Sequence, residues 1–494
     1  MIARIRERIL AFISSPADVP LLAGFSVGFY MLLFYYSQNF SLANSPTQIL
    51  LFTAYYMLLP MATLYVGYKL LKLLKLDAYR KNFLFVGIVG FFSFFLIQLN
   101  NVGYSKIVVF GLILLIAAAV SFWLRNYYKL FILLLFLMSM FNVKPLVHIA
   151  WVAATSSTEW KEPDSSIKDI VFKERPNIYY IQPDGYTSFS NLKEAPYNFD
   201  NTEFENFLIS QKFTLYPDFR SNYISTLLSN SSMFNMMHHY SAKDVDAYAA
   251  RSLIVSDNNI LDILKKNNYK THFLTEKPYL VINRPEMGYD YCNVEYSELP
   301  FIRDGWGYNE PLLKDFMALP IGKTTGNFYF LEKMSPNHIE GFKANSKGIA
   351  GEREKYLQRV KETNLWLKRL LTYITSKDPN ALIVIAADHG GYVGYDYTMQ
   401  AYKKTNDKKL AQSIFGAALA IKWNREDFKE YEGGLVSSVN LFTSVFAYLA
   451  EDKRPLQHLQ ENGSYITLTE PAGLYRYINN NGEVVLEKAD DIQD

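Results

Sequence analysis

Residues Ala381–Gly391 read ALIVIAADHGG. Leu382 to Ala387 is an unbroken apolar run, and Asp388-His389-Gly390-Gly391 closes it. Such a run fits a strand buried on both faces, as in a parallel sheet covered by helices. Ligands of open α/β sheets collect beyond the carboxyl ends of the strands, where Asp388 and His389 fall. Neighbouring strand side chains point to opposite faces, so these two converge only if the backbone turns, which Gly390 and Gly391 permit. An adjacent carboxylate and imidazole leaving a buried strand suit a divalent metal. A polar strand-to-loop exit is the plain alternative.

A second stretch repeats the pattern. Asn177–Gln182 (NIYYIQ) is rich in strand formers and ends in Pro183-Asp184-Gly185-Tyr186. Two such strands side by side would bring Asp184, Asp388 and His389 together, although Asp-Gly alone is a common turn pair. Between them, Arg220–Tyr240 (RSNYISTLLSNSSMFNMMHHY) is dense in hydroxyls. A Thr or Ser at the start of its helix is either a cap or, beside a metal, an activated nucleophile. His238 and His239 are ligand candidates or surface residues, and Lys277 and Arg284 are cations that an anionic substrate could meet. Glu354–Ile374 carries its apolar residues at helical spacing and leads into the central strand. Lys270–Leu274, Asn327–Leu331 and Phe415–Ile421 read as further strands, Leu435–Leu449 as a helix, and Tyr475–Ile478 with Glu483–Glu487 as a terminal hairpin.

The 494 residues are half hydrophobic and 16% aromatic. Residues 1–152 hold 12 Lys+Arg against 3 Asp+Glu, and the rest 38 against 45. Five apolar stretches fill the basic part, near Pro20–Ser37, Ile49–Leu71, Phe83–Leu99, Ile107–Leu124 and Leu130–Val152. Each approaches the ~20 residues that cross a bilayer. Lys and Arg crowd the N-terminus and the connections after the second and fourth stretches, while Gln38–Gln48 and Asn100–Lys106 hold only Lys106. That alternation predicts a cytoplasmic N-terminus and an extracytoplasmic C-terminal part. The scarcity of charge within the stretches argues against an ion pathway, and nothing suggests nucleic-acid binding. A single cysteine, Cys292, rules out an intrachain disulfide. The expected organisation is a five-helix transmembrane bundle (1–152), a linker (153–171) and an α/β domain with a mainly parallel central sheet flanked by helices (172–494).

Taken in order, PNIYYIQPDGY, SNYISTLLSNSSMFNM and ALIVIAADHGG resemble the sulfatase-like branch of the alkaline phosphatase superfamily. With five spans ahead of them, they are similar to lipoteichoic acid synthases and phosphoethanolamine transferases of bacterial envelopes. VSSVNLFTSVFAYL (Val436–Leu449) adds to the likeness. The resemblance implies a site of Asp184, Thr226, Asp388 and His389 around one divalent metal, with manganese or magnesium favoured and zinc possible. Thr226 would be both metal ligand and nucleophile. It implies a lipid donor, an envelope polysaccharide or lipid acceptor, and the bacterial inner membrane as location. Relatives that hydrolyse sulfate esters carry Cys or Ser in C/S-x-P-x-R. Here Thr226-Leu227-Leu228-Ser229 stands instead, which favours phosphoryl transfer over sulfate ester hydrolysis. Where envelope relatives carry a His-Pro-Phe-like motif, this chain has Met334–His338 (MSPNH), so His338 joins His239, Lys277 and Arg284 as candidate substrate contacts. A second, His-rich metal site is incomplete, and the absence of paired cysteines points to a phosphoglycerol-type or related branch.

Overall fold

The computed structural model describes residues 2–99, 105–155, 159–240, 250–301 and 307–489. The chain divides into two compact units, Met1–Thr155 and Ser156–Asp494.

The first unit is helical: α1 (Ile2–Ser14), α2 (Pro20–Asn39), α3 (Pro46–Thr53), α4 (Leu59–Leu73), α5 (Arg80–Leu99), α6 (Ser105–Leu124) and α7 (Tyr128–Thr155). A π-turn, Ala54–Leu58, joins α3 to α4 just ahead of Pro60. Among the described residues, four helical runs are long and apolar enough to cross a membrane. The five expected stretches become four runs because the last two lie in one, Lys106–Thr155, continuous through a 3₁₀ turn at Arg125–Tyr127. Asn82 in α5 donates to Ser121 in α6 at 2.9 Å, and Phe94 meets Phe110 at 5.6 Å, so these two helices run antiparallel. Helix α7 runs parallel to α2: the Val19 N–H ahead of α2 donates to Tyr128 at 3.1 Å, and Ser37 near its end donates to Asn142 at 3.4 Å. Lys129, buried in this packing, donates to the carbonyls of Phe12 and Ser15 at 3.1 and 2.7 Å and so satisfies the end of α1. The connection 100–104, read as a short outer loop, lies outside the described residues.

The second unit is built on a seven-stranded sheet. Its strands are β1 (Ile178–Pro183), β2 (Thr214–Leu215), β3 (Lys270–Thr275), β4 (Tyr291–Cys292), β5 (Asn327–Lys333), β6 (Leu382–Ala386) and β7 (Leu419–Lys422), in the order β2-β7-β6-β1-β5-β3-β4. From β6 to β4 all neighbours are parallel, while β7 and β2 are antiparallel additions at one edge. The sheet is therefore mainly parallel, and its central strands β1 and β6 are buried along their whole length. The helix Gly348–Lys377 packs Tyr356, Val360, Leu367, Leu371 and Ile374 against the core and delivers the chain to β6. Trp160, Ile167 and Ile170, from the segment read as a linker, join the same core.

Two boundaries differ from expectation. Phe415 ends the helix Lys408–Phe415, and the strand begins only at Leu419. The intervening backbone bonds elsewhere: the Phe415 carbonyl accepts from the Ser221 N–H, and the Ala417 N–H donates to Phe219. The helix after it starts at Leu441, because Ser437 and Ser438 pair with Arg220 before the helix can begin. The terminal hairpin, β9 (Ala472–Ile478) with β10 (Val484–Lys488), gains a third antiparallel strand, β8 (Ser464–Thr469).

Candidate active site

Strands β1 and β6 pair in parallel with Ile178 opposite Leu382 and Ile181 opposite Ile385. Carrying that register past the strand ends sets Asp184 opposite Asp388. Both carboxylates are buried, as is His389. One ligand atom from each of Asp184, Asp388 and His389 lies within 4.8 Å of the others.

Two tight approaches shape the loops. Gly185 has φ +67°, and a Cβ there would sit 2.6 Å from the Asn337 backbone. A Cβ on Gly391 would overlap the Tyr356 ring at 2.3 Å. The Tyr356 hydroxyl donates to the Gly185 carbonyl at 2.9 Å and accepts from the Thr187 N–H at 3.0 Å, which fixes the turn carrying Asp184. The Gly185 N–H donates to Asp388 Oδ1 at 3.0 Å and ties the two loops together.

Thr226 is the first residue of the helix Thr226–Asn235, with Ser225 in the extended N-cap position. The helix therefore presents its unpaired first-turn N–H groups at the same end as the threonine. Thr226 Oγ1 donates to Asp184 Oδ1 at 3.2 Å and lies 3.5 Å from His389 Nε2. Tyr392, just past the Gly-Gly turn, donates its hydroxyl to the Ile224 carbonyl and so clamps this segment to the Asp-His loop.

The hydrogen bonds define the imidazole. His389 Nδ1 donates to the Gly390 carbonyl at 2.8 Å, which leaves Nε2 as the atom turned to the carboxylates. Nε2 lies 3.4 Å from Asp388 Oδ2 and 3.5 Å from Asp184 Oδ1. Asp388 Oδ2 is buried with no hydrogen-bond partner among the described residues. Burial, then the neighbouring Asp388 charge, pushes the Asp184 carboxyl well above its ordinary range. Electron-rich atoms converging with too few protons between them are what a cation satisfies. Two carboxylates, a hydroxyl and one imidazole form a donor set that fits magnesium, manganese or zinc.

Asp184, Thr226 and His389 floor a cleft of about 270 Å³ whose walls include Tyr279, Asn337, His338, Phe342, Tyr392 and Tyr402. The His338 ring centre is 6.0 Å from that of His389. Its Nδ1 bonds the Ile339 carbonyl at 2.6 Å, and burial pushes its pKa down to about 4, so the ring is neutral. Arg359, from the long helix, donates to the His338 carbonyl at 2.9 Å and holds that loop.

Of the residues singled out in the sequence, Asp184, Thr226, Asp388, His389 and His338 meet at this cleft, and three others do not line it. His239 is buried, its ring stacked on Tyr223 at 3.9 Å and its Nε2 on the Leu228 carbonyl at 3.1 Å. Arg284 donates to the Leu299 carbonyl at 2.6 Å and lies over the Phe301 ring at 3.7 Å. Lys277 bonds Thr275 through its backbone, and it is Tyr279, two residues on, that reaches the cleft. Tyr356 and Arg359 went unread in the sequence, since nothing local marks a tyrosine or arginine that acts across the fold.

A mainly parallel α/β sheet with a carboxylate and imidazole cluster at its carboxyl end, beside a helix-borne threonine, places the chain in the alkaline phosphatase class of folds. The sulfatase family model matches residues 188–450, and the chain belongs to the sulfatase family. Among solved structures it is similar to the C-terminal periplasmic domain of EptC from Escherichia coli, at 13% identity and TM-score 0.40, covering 62% of this chain and 93% of that one. It is also similar to the integral membrane lipooligosaccharide phosphoethanolamine transferase A of Neisseria meningitidis, at 11% identity and TM-score 0.39, covering 88% of this chain and 96% of that one. A Bacteroides thetaiotaomicron protein from a locus for the metabolism of multiple glycosaminoglycans matches at 14% identity and TM-score 0.37, covering 63% of this chain and 88% of that one. No curated protein matches the chain in sequence.

Proposed function

We propose that the chain transfers a phosphoryl-linked headgroup, such as phosphoethanolamine or phosphoglycerol, from a membrane lipid to an envelope glycan or lipid. The observation that carries this reading is the Thr226 hydroxyl, buried and hydrogen-bonded to Asp184 at the mouth of the Asp184, Asp388 and His389 cluster. A divalent ion held by these four residues would act as a Lewis acid, offsetting charge on the phosphoryl oxygens and acidifying the hydroxyl. Asp184 orients Oγ1 through its hydrogen bond, and the helix beginning at Thr226 turns its free N–H groups toward developing negative charge. Thr226 Oγ1 bonds to phosphorus while the P–O bond to the lipid alcohol breaks, and the hydroxyl proton ends on the departing alcohol. An acceptor hydroxyl then takes the phosphoryl group from the phosphothreonine and restores Thr226. Neutral His338, its Nδ1 occupied by Ile339, offers Nε2 to the acceptor hydroxyl as a hydrogen-bond acceptor.

The reading includes five membrane crossings, with the N-terminus cytoplasmic and residues 172–494 on the outer face of a bacterial inner membrane. It is supported by the alternation of Lys and Arg among the connections. Helix α6 runs antiparallel to α5, whereas α7 starts beside the start of α5, with Lys81 donating to Asn126 at 3.4 Å and Phe85 meeting Phe131 at 5.2 Å, which supports two crossings within Lys106–Thr155. A second reading keeps the same site but uses water as acceptor. Membership of the sulfatase family favours it. Product analysis of the detergent-purified chain with a phosphodiester lipid, with and without an acceptor glycan, separates the two. Transfer predicts a headgroup-modified glycan, whereas hydrolysis predicts the same free headgroup phosphate in both reactions. Faster turnover of a sulfate ester than of the phosphodiester would overturn phosphoryl transfer.

A further inference from the structure

A second cleft, of about 520 Å³, shares no lining residue with the first. It lies between the start of the helix Phe189–Lys193, the segment Tyr216–Arg220 and the turn joining β9 to β10. Arg220 lines it, and only 7% of that residue is exposed. Its Nε and Nη2 donate to the Asn462 carbonyl at 3.1 and 2.9 Å, and Nη2 also reaches the carbonyls of Asn479 and Asn480 at 3.3 and 3.4 Å. Those bonds pin the C-terminal sheet to the core and leave the two N–H donors of Nη1 unused. Nη1 makes no hydrogen bond among the described residues, and no carboxylate pairs with Arg220 there. Burial alone pushes its pKa down to about 10, with no acidic neighbour to offset it. Acids of the adjoining segments are engaged elsewhere: Asp218, at the exposed rim, accepts from Ser190 at 2.6 Å, and Glu483 accepts from Asn479 at 2.8 Å.

A buried cation without a counter-ion is costly unless an anion completes it. The cleft around Nη1 is lined by hydroxyl and amide groups of Ser188, Ser190, Asn191, Gln412 and Asn481, with Tyr216 and Ile478 offering apolar surface. The side chains of Gln412 and Asn481 make no hydrogen bonds among the described residues. Mixed hydroxyl, amide and apolar surface matches a sugar ring, which has polar edges and apolar C–H faces, and the cleft is large enough for one. We propose that this cleft is a second binding site, for a saccharide carrying an anionic group that pairs with Arg220 Nη1. It would hold an acidic glycan on the domain independently of the chemistry at Thr226. The carboxylate of a uronic acid and the phosphate or sulfate ester of a neutral sugar share the required chemistry.

The test is equilibrium dialysis of radiolabelled glucuronate, glucose 6-phosphate, glucose and inorganic phosphate against the full chain in detergent. Glucuronate or glucose 6-phosphate should bind saturably, at least tenfold more tightly than glucose and than inorganic phosphate, and equally well to Thr226→Ala. Arg220→Gln should abolish this binding but risks releasing the C-terminal sheet. Asn481→Glu supplies an internal counter-ion, and Gln412→Trp fills the cleft, without touching the carbonyl bonds of Arg220. Both should weaken binding tenfold or more while leaving turnover unchanged. The proposal fails if neither anionic sugar binds saturably, if both of these variants bind like the wild type, or if Thr226→Ala alone removes binding. Equal affinity for inorganic phosphate and glucose 6-phosphate would overturn the saccharide assignment.

Discussion

Asp388→Asn should make the metal-free protein more stable and the metal-loaded protein no more stable than that. Asp184 and Asp388 are both buried and their ligand oxygens lie within 4.8 Å of each other. Two unit charges at that separation repel by about 3.5 kcal/mol at an effective dielectric constant near 20. Asparagine keeps an oxygen for the Gly185 N–H and removes the charge. Part of the repulsion is already relieved, because Asp184 holds its proton more tightly than an ordinary carboxyl. The expected gain in metal-free protein is therefore about 2–3 kcal/mol near neutral pH. The sign with pH follows from the same shift. A carboxyl whose folded pKa is raised contributes stability at low pH that is lost as pH rises above its ordinary 3.8. Metal-free wild type should accordingly weaken with rising pH, and Asp388→Asn should weaken less. Manganese at about a hundred times its Kd should add about 2.7 kcal/mol to the wild type and nothing to the variant. Amide hydrogen exchange of β1 and β6 in the full chain reads these local free energies. A variant less stable than metal-free wild type, yet stabilised equally by manganese, would refute a cation site built on these two carboxylates.

Thr226→Ala should lower phosphodiester turnover by about 10³-fold or more while Thr226→Ser keeps a measurable rate, as loss of a nucleophile rather than of packing requires. Tyr356→Phe removes the hydroxyl that donates to the Gly185 carbonyl and accepts from the Thr187 N–H; the protection free energy of the Thr187 amide should fall by about 1–3 kcal/mol, with a parallel drop in turnover. Burial holds the Glu332 carboxyl up at about 8, so folded wild type loses stability as pH rises from about 4.5 to about 8, and Glu332→Gln should flatten that slope in a pH series of thermal melts. A reporter enzyme active only outside the cytoplasm, fused after Asp494, should be active, whereas one fused after Leu76 should not.

The parts of the site that announce themselves locally were legible before any coordinates. Apolar runs ending in Asp184-Gly185 and in Asp388-His389 mark buried strand ends, and one parallel register suffices to set them side by side. The long helix before β6 carries its buried face at helical spacing. What escaped reading depends on partners far away in sequence. His239 looked like a ligand candidate because nothing nearby says that Tyr223 will stack on it. Arg284 looked like a substrate contact, yet the carbonyl of Leu299 takes its charge inside the fold. The strand expected from Phe415 starts four residues late because Gly416 and Ala417 lie against the segment before Thr226 rather than in the sheet. β8 went unseen because its alternation is short and its pairing with β9 completes it. In the helical unit the apolar stretches were plain, and the last two, α6 and α7, adjoin through the 3₁₀ turn Arg125–Tyr127 with no non-helical residue between them.

The most direct test of the central claim is peptide mass spectrometry of the full chain, loaded with manganese and given a phosphodiester lipid without acceptor. The account predicts a phosphoryl-headgroup adduct on the peptide containing Thr226, its loss on adding an acceptor glycan, and none in Thr226→Ala. Turnover of the lipid with no adduct at Thr226, proceeding equally in Thr226→Ala, would contradict it.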